Sequence, residues 1–174
     1  VALGQGEAAH VFVSLDGKDI TIETETIKKS TSSIALTGQP NVGKSSVFNL
    51  LTGLNQHVGN WTGKTIECRI GTFKFKGTGF SIVDLPGTYS LTASSEEERL
   101  ARDYIIKERP DLIVAVANAA SLERSLYLVA ELLLLPVPII VALNITDVAE
   151  QDGIQVETKG LEAALGVPVD SMDA

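Results

Sequence analysis

The segment Gly38-Gln39-Pro40-Asn41-Val42-Gly43-Lys44-Ser45 constrains this chain more than any other feature. It satisfies the pattern G-x-x-x-x-G-K-[ST], between an apolar run at Ile34–Thr37 that reads as a strand and a helical pattern at Lys44–Leu51. Successive backbone N–H groups from Asn41 to Ser46 then form a concave nest, and the helix start adds its positive dipole end. Gly43 lets the backbone approach a phosphate, Lys44 places a point charge on β- and γ-phosphates, and Ser45 offers a hydroxyl to Mg²⁺. The competing reading is a fortuitous Gly-rich turn, and the strand before and helix after argue against it.

A phosphate loop in that setting demands an α/β chain, and the downstream pattern supplies one. Strands are predicted at Ile66–Phe75 and Phe80–Leu85 (joined through Lys76-Gly77-Thr78-Gly79), Leu112–Ala117, Val137–Leu143 and Val167–Val169. Helices are predicted from Ser94 or Ser95, with Glu97 or Glu98 three residues on as a capping box, to about Lys107, then at Ser121–Leu135 and Glu157–Leu165. Leu122, Leu126, Val129 and Leu133 form the apolar face of the second of these. Near-continuous apolar strands alternating with helices imply a mainly parallel sheet covered on both faces, an α/β fold built around a P-loop. Leu126–Ile145 is apolar over a membrane-spanning length, but Glu131, Pro136 and Pro138 interrupt it, so no transmembrane helix is expected.

Residues 1–33 are expected to form a separate segment. His10–Leu15 and Ile20–Ile27 alternate around Asp16-Gly17-Lys18-Asp19, a β-hairpin pattern, and Lys28–Ser33 reads as a polar linker to a domain spanning 34–174. With 14 basic against 22 acidic residues the net charge is −8, which disfavours general attraction to nucleic acid. The lone Cys68 cannot form an internal disulfide or a zinc site and reads as a small strand residue. His10 and His57 are isolated, so no cluster at metal-ligand spacing is expected.

Two later motifs choose the base. Asp84-Leu85-Pro86-Gly87 ends a strand and matches D-x-x-G, in which the Asp holds Mg²⁺ through water and the Gly N–H meets the γ-phosphate. Asn144-Ile145-Thr146-Asp147 also follows a strand and matches N-x-x-D. A carboxylate there accepts two hydrogen bonds from guanine N1–H and N2–H₂, a donor pair adenine lacks. Each pattern alone is weak. Their order and strand-end placement after the phosphate loop point to GTP and GDP.

Gly38–Ala174 resembles the cytosolic GTPase domain of the ferrous iron transport protein B family, FeoB. The segments VGNWTGKTIE (Val58–Glu67), DLPGTYSLT (Asp84–Thr92) and SLERSLYL (Ser121–Leu128) carry the resemblance. Thr62 and Lys64 depart from the family's usual Asn-Trp-Pro/Ala-Gly-Val-Thr-Val-Glu switch, and Ile145 stands where other GTPases carry Lys. The resemblance implies slow hydrolysis of GTP to GDP and phosphate that gates or regulates ferrous iron transport. It implies a cytoplasmic-face location, a membrane transport domain in the same full-length chain and, as an open question, a homo-oligomer.

By the same resemblance Thr65 is the switch threonine for Mg²⁺ and the γ-phosphate, with Gly63 and Lys64 beside it. Asn41 is the asparagine that helps bind K⁺ in potassium-activated relatives, and Asn41, Lys44, Thr65 and Gly87 form the catalytic group. Ser171 falls where the family contacts guanine O6. Thr88 occupies the place of a water-orienting Gln and is too short for that task. Trp61 reads equally as a packing residue or an exposed switch residue, while His57 reads as an exposed loop residue. Two other readings stay open: a nucleotide-sensing module with negligible turnover, and a soluble GTPase of ribosome or RNA maturation.

Overall fold

The computed structural model describes residues 9–16, 19–26, 31–53, 55–61, 64–92 and 94–172. The first two strands, β1 (Ala9–Asp16) and β2 (Asp19–Thr26), pair antiparallel with Asp16 opposite Asp19 and form a sheet of their own. The expected hairpin pairing is therefore present, while its Gly17-Lys18 turn, the last expected strand residue Ile27 and residues 28–30 of the expected linker lie outside the described residues.

A seven-stranded sheet follows, built from β3 (Thr31–Gly38), β4 (Gln56–Asn60), β5 (Glu67–Phe75), β6 (Thr78–Asp84), β7 (Leu112–Asn118), β8 (Ile139–Asn144) and β9 (Val169–Ser171). Its spatial order is β4-β5-β6-β3-β7-β8-β9. From β6 to β9 every pairing is parallel, and β4 and β5 extend the edge antiparallel. Strand β3 is central, so the phosphate loop leaves the middle of the sheet at its carboxyl edge, where ligands of open α/β folds sit.

Among the described residues five α-helices connect or follow these strands: α1 (Lys44–Thr52), α2 (Glu96–Glu108), α3 (Leu122–Leu132), α4 (Thr146–Gln151) and α5 (Thr158–Leu165), with a 3-10 turn at Ala119–Ser121 leading into α3. On one face Ala35, Val83, Leu85 and Ile113 of the sheet region pack with Ala101 and Ile105 of α2 and Leu128, Val129 and Leu132 of α3. On the other, Ile34, Leu36, Ile82 and Val116 pack with Val47 and Phe48 of α1. Alternate residues of β3 thus feed opposite cores, as strand periodicity requires.

Several boundaries differ from the sequence expectation. Thr31–Ser33, read as linker, are strand, because Ser33 is held by Asp111, whose carboxylate accepts from both the Ser33 N–H (2.7 Å) and hydroxyl (2.9 Å). Strand β4 was not expected, since QHVGN offers one large apolar residue; it exists by pairing with β5. The β5–β6 turn is tighter than the four residues expected, with Lys76 (φ 47°) and Gly77 (φ 82°) both left-handed, the two-residue hairpin geometry. Helix α3 stops at Leu132 rather than Leu135, three residues short of the Pro136 ring. Its most buried residues are Ser125, Leu128, Val129 and Leu132, with Leu122, Leu126 and Leu133 flanking them. Strand β9 begins at Val169 rather than Val167, and α4 was unforeseen.

Candidate functional site

The phosphate loop leaves β3 at Gly38 and enters α1 at Lys44. No side chain caps α1, and its first turn carries no acidic residue, so its leading N–H groups face outward unclaimed by the protein's side chains. Asn41 is exposed and takes a left-handed backbone (φ 64°), which turns the loop back on itself. Pro40, Asn41, Gly43, Lys44, Ser45 and Ser46 line a cavity of about 420 Å³, together with Gln39 and Gly87. The sequence-predicted cradle and the Gly of D-x-x-G are thus brought to one concavity.

Gly43 is required twice over. Its φ of 82° favours glycine, and a Cβ on it would collide with Asn144 Nδ2. Asn144, at the end of β8 and 1% exposed, donates from Nδ2 to the Val42 carbonyl at 3.0 Å. The first residue of the N-x-x-D motif is therefore built into the phosphate loop. A second strut comes from Gln39, 5% exposed, whose Nε2 donates to the Arg124 carbonyl of α3 at 2.5 Å.

On the cation side, Lys44 Nζ and Asp84 Oδ1 form an ion pair with side chains 12% and 7% exposed. Lys44, Ser45, Asp84, Leu85 and Pro86 line an adjoining cavity of about 230 Å³ with Ile66, Glu67 and Arg69. Arg69 Nε donates to Glu67 Oε1 at 2.5 Å. A mutually neutralising Lys–Asp pair beside a free hydroxyl is a donor set suited to an Mg²⁺–phosphate unit, in which the lysine turns to phosphate oxygens and the carboxylate to the metal's water. Among the described residues no group of three or more His, Cys, Asp or Glu is arranged to hold a metal on its own.

The D-x-x-G loop leaves the end of β6 and is bonded to the end of β3. Leu85 N–H donates to the Leu36 carbonyl at 2.9 Å and Thr88 N–H to the Gly38 carbonyl at 3.1 Å. Gly87 lies against the ring of Pro40, where a Cβ would come within 3.2 Å of Pro40 Cα. Thr88 is 1% exposed, so its hydroxyl faces no solvent. Further on, Glu131 of α3 accepts from the Ser90 hydroxyl at 3.0 Å and from Leu91 N–H. Sequence reasoning missed Glu131; its one signal was an acid inside an otherwise apolar run.

The switch segment is only partly at the site. Thr62 and Gly63 lie outside the described residues. Thr65 is exposed and lines neither cavity at Lys44; its neighbours Ile66 and Glu67 line the smaller one. The segment folds on itself, Trp61 N–H to the Ile66 carbonyl and Lys64 N–H to the Trp61 carbonyl, both 2.9 Å. Trp61 packs edge-on against Tyr104 of α2, centroids 5.5 Å apart at 74°, which resolves its role toward packing. Lys64 pairs with Glu96 at the start of α2, both exposed, and holds the Glu96 carboxyl below the usual range. Burial, then the Asp84 charge, pushes the Cys68 thiol up; burial, then Glu108 and Cys68, does the same for Tyr104. His57 is exposed, on β4 rather than in a loop. The capping box falls on Ser95 and Glu98.

On the base side Ile145 adopts a left-handed conformation (φ 63°), and α4 begins at Thr146, which exposes Asp147 in its first turn. A cavity of about 900 Å³ is lined by Leu143, Thr146 and Ser171, with Ala119, Ala149 and Glu157 among its other walls. Neither Asn144 nor Asp147 is among its lining residues. No helix among the described residues is long and apolar enough to cross a membrane.

Residues 32–174 match the sequence profile of a family described as ferrous iron transport protein B. The Fe(2+) transporter FeoB of Methanocaldococcus jannaschii is 57% identical over 100 residues, 58% of this chain and 15% of that protein. That of Escherichia coli strain K12 is 48% identical over 140 residues, 78% of this chain and 18% of that protein. The chain thus spans less than a fifth of the length of these relatives. Among solved structures, the cytosolic domain of the T. maritima FeoB iron transporter in GMPPNP form aligns with a TM-score of 0.79 at 44% identity, over 82% of this chain and 56% of that one. The G domain of FeoB from Methanococcus jannaschii aligns with a TM-score of 0.73 at 45% identity, over 83% and 86% respectively.

Proposed function

This chain belongs to the ferrous iron transport protein B family, and from that premise we propose that it binds GTP with Mg²⁺ and hydrolyses it to GDP and phosphate. The observation that carries the reading is the Asn144–Val42 tether across Gly43, which makes the N-x-x-D motif and the phosphate loop one unit. A triphosphate would lie along the loop from Gly38 to Ser46, with Lys44 on its β- and γ-oxygens and Gly87 N–H facing the γ-phosphate. Asp147, exposed in the first turn of α4, would accept from the guanine ring. Ser171, in the cavity wall with Thr146, is the candidate near guanine O6.

Mg²⁺ would be held by the Ser45 hydroxyl, by Asp84 through water and by Thr65 if its segment moves inward, and would supply positive charge to neutralise the phosphates. In this reading Thr88 does not orient the attacking water, because its side chain is too short to do the work of a Gln; in this structure its hydroxyl is also buried. Hydrolysis is therefore slow unless another positive charge assists. In this reading Asn41, exposed and lining the phosphate cavity, would share a K⁺ ion with switch carbonyls. Lys64, paired with Glu96 at the surface in this structure, is the alternative source of that charge.

The same reading makes the domain the cytoplasmic-face regulator of ferrous iron transport by a membrane domain of the same full-length protein, with self-association a further expectation. The buried Thr88 also suits a nucleotide-sensing module of negligible turnover. The ribosome or RNA-maturation reading has no support in the family match or in the net charge of −8. Binding of GDP, GTP and ATP to the purified domain, followed by phosphate release under excess GTP, tests both surviving readings. Equal affinity for ATP and GTP refutes the guanine assignment, and GTP binding without phosphate release selects the sensor.

A further inference from the structure

Among the described residues three buried side-chain polar atoms have no hydrogen-bond partner: Thr37 Oγ1, Trp61 Nε1 and Thr88 Oγ1. Such groups forfeit their hydration without compensation, so each calls for an explanation. All three are near neighbours in sequence of residues proposed to bind the nucleotide. Thr37 immediately precedes Gly38, Trp61 lies in the segment leading to Thr65, and Thr88 immediately follows Gly87.

Thr88 is the informative one, because its loop is fastened on both sides of the unpaired hydroxyl. Its own N–H is held by the Gly38 carbonyl, and two residues on, Ser90 and Leu91 are held by the Glu131 carboxylate. Valine has nearly the same shape and would fill the space without the penalty. The hydroxyl is thus a destabilising element inside an otherwise well-bonded inward arrangement of the loop.

We propose that Thr88 is a positioning residue that biases this chain toward the triphosphate: its hydroxyl is unpaired while the Asp84–Thr88 loop lies inward and gains a partner when Gly87 moves to meet a γ-phosphate. The proposal rests on the guanine-nucleotide reading above. A shift of Gly87 carries the next residue with it, opens the Thr88 N–H to Gly38 carbonyl contact and admits water or phosphate oxygen to Oγ1. The penalty is then present in the nucleotide-free and diphosphate forms and absent in the triphosphate form. A ligand shifts such an equilibrium only by its differential affinity, and Thr88 supplies part of that difference. Thr37 carries the same unpaired hydroxyl but sits in β3, laddered to β6 and β7 on both sides, and stays where it is in every state.

The test compares wild type, Thr88→Val, Thr88→Ser and Thr37→Val by two readouts: the melting temperature without nucleotide, and the ratio of GMPPNP to GDP affinity with Mg²⁺. Thr88→Val is expected to melt higher than wild type and to lose triphosphate preference on the order of tenfold. Thr88→Ser, which keeps the hydroxyl, is expected to restore the ratio, and Thr37→Val to raise the melting temperature with the ratio unchanged. A lower melting temperature in Thr88→Val overturns the proposal, since the hydroxyl is then already paired in the nucleotide-free form. Normal GDP binding with an unchanged ratio in Thr88→Val overturns the role of Thr88 alone. Wild-type protein that binds neither nucleotide overturns the guanine reading and this role with it.

Discussion

Asn144→Ala tests whether the guanine motif also builds the phosphate loop. Asn144 is 1% exposed, and its Nδ2 donates to the Val42 carbonyl at 3.0 Å. Truncation removes that bond, leaves a buried carbonyl with one partner fewer and opens a void beside Gly43. An orphaned buried group costs about 1–3 kcal/mol, and the void adds to it, so a loss of about 2–3 kcal/mol is expected. For a domain of this size that corresponds to a melting temperature lower by roughly 5–10 °C. Nucleotide affinity is expected to fall about 30-fold or more, since the loop no longer holds its receptive shape. The deciding assay is calorimetric titration with GDP and, separately, with inorganic pyrophosphate, which has no base. A residue that only contacts guanine would leave pyrophosphate binding intact; a tether of the loop weakens both. Asn144→Asp sharpens the test, because it sets an acceptor against the Val42 carbonyl and should be at least as damaging as alanine. Unchanged melting temperature and pyrophosphate affinity in Asn144→Ala would refute the tether.

Asp147→Ala, at an exposed position, is expected to leave the melting temperature near wild type while GDP affinity drops about 100-fold or more, read by titration beside ATP as the control. Phosphate release in equimolar KCl and NaCl is expected to be faster in KCl by about 10²–10³-fold, with the difference lost in Asn41→Ala; equal rates in the two salts for wild type discard the ion. The raised Cys68 thiol predicts slow alkylation of the folded protein at pH 8, accelerating only above the ordinary thiol range, and a mass-spectrometric time course that matches a free thiol at pH 8 contradicts it. Because Lys64 lowers the Glu96 carboxyl in the folded state, its small contribution is present above the unfolded carboxyl range and lost as pH falls through the folded one. The stability difference between wild type and Lys64→Ala should accordingly shrink in acid and in high salt, as pH-dependent melting would show.

The parts legible in the sequence are those whose cause is local. Gly38–Ser45 needs two glycines and a lysine at fixed offsets because a backbone nest can be made in few other ways. Ser95 and Glu98 announce the start of α2 because both halves of the capping box lie within one turn. The apolar runs of β7 and β8 mark buried parallel strands because no position on them faces water for long.

What only the tertiary structure decided concerns groups whose partners lie far along the chain. QHVGN has no strand pattern of its own and becomes β4 because β5 offers a free edge. The close fit of Gly43 to Asn144 and the hold of Glu131 on Ser90 and Leu91 span sequence separations that no window can relate. Trp61 stood evenly between packing and exposure until Tyr104, on α2, was found against it. Thr88 shows the division most plainly. Its side chain, too short to reach an attacking water, could be read from the residue type; that its hydroxyl is sealed without a partner follows only from how the loop between β6 and α2 closes over it. Residue chemistry determines what a group can do, and the packing of distant segments determines whether it has water, a partner or neither.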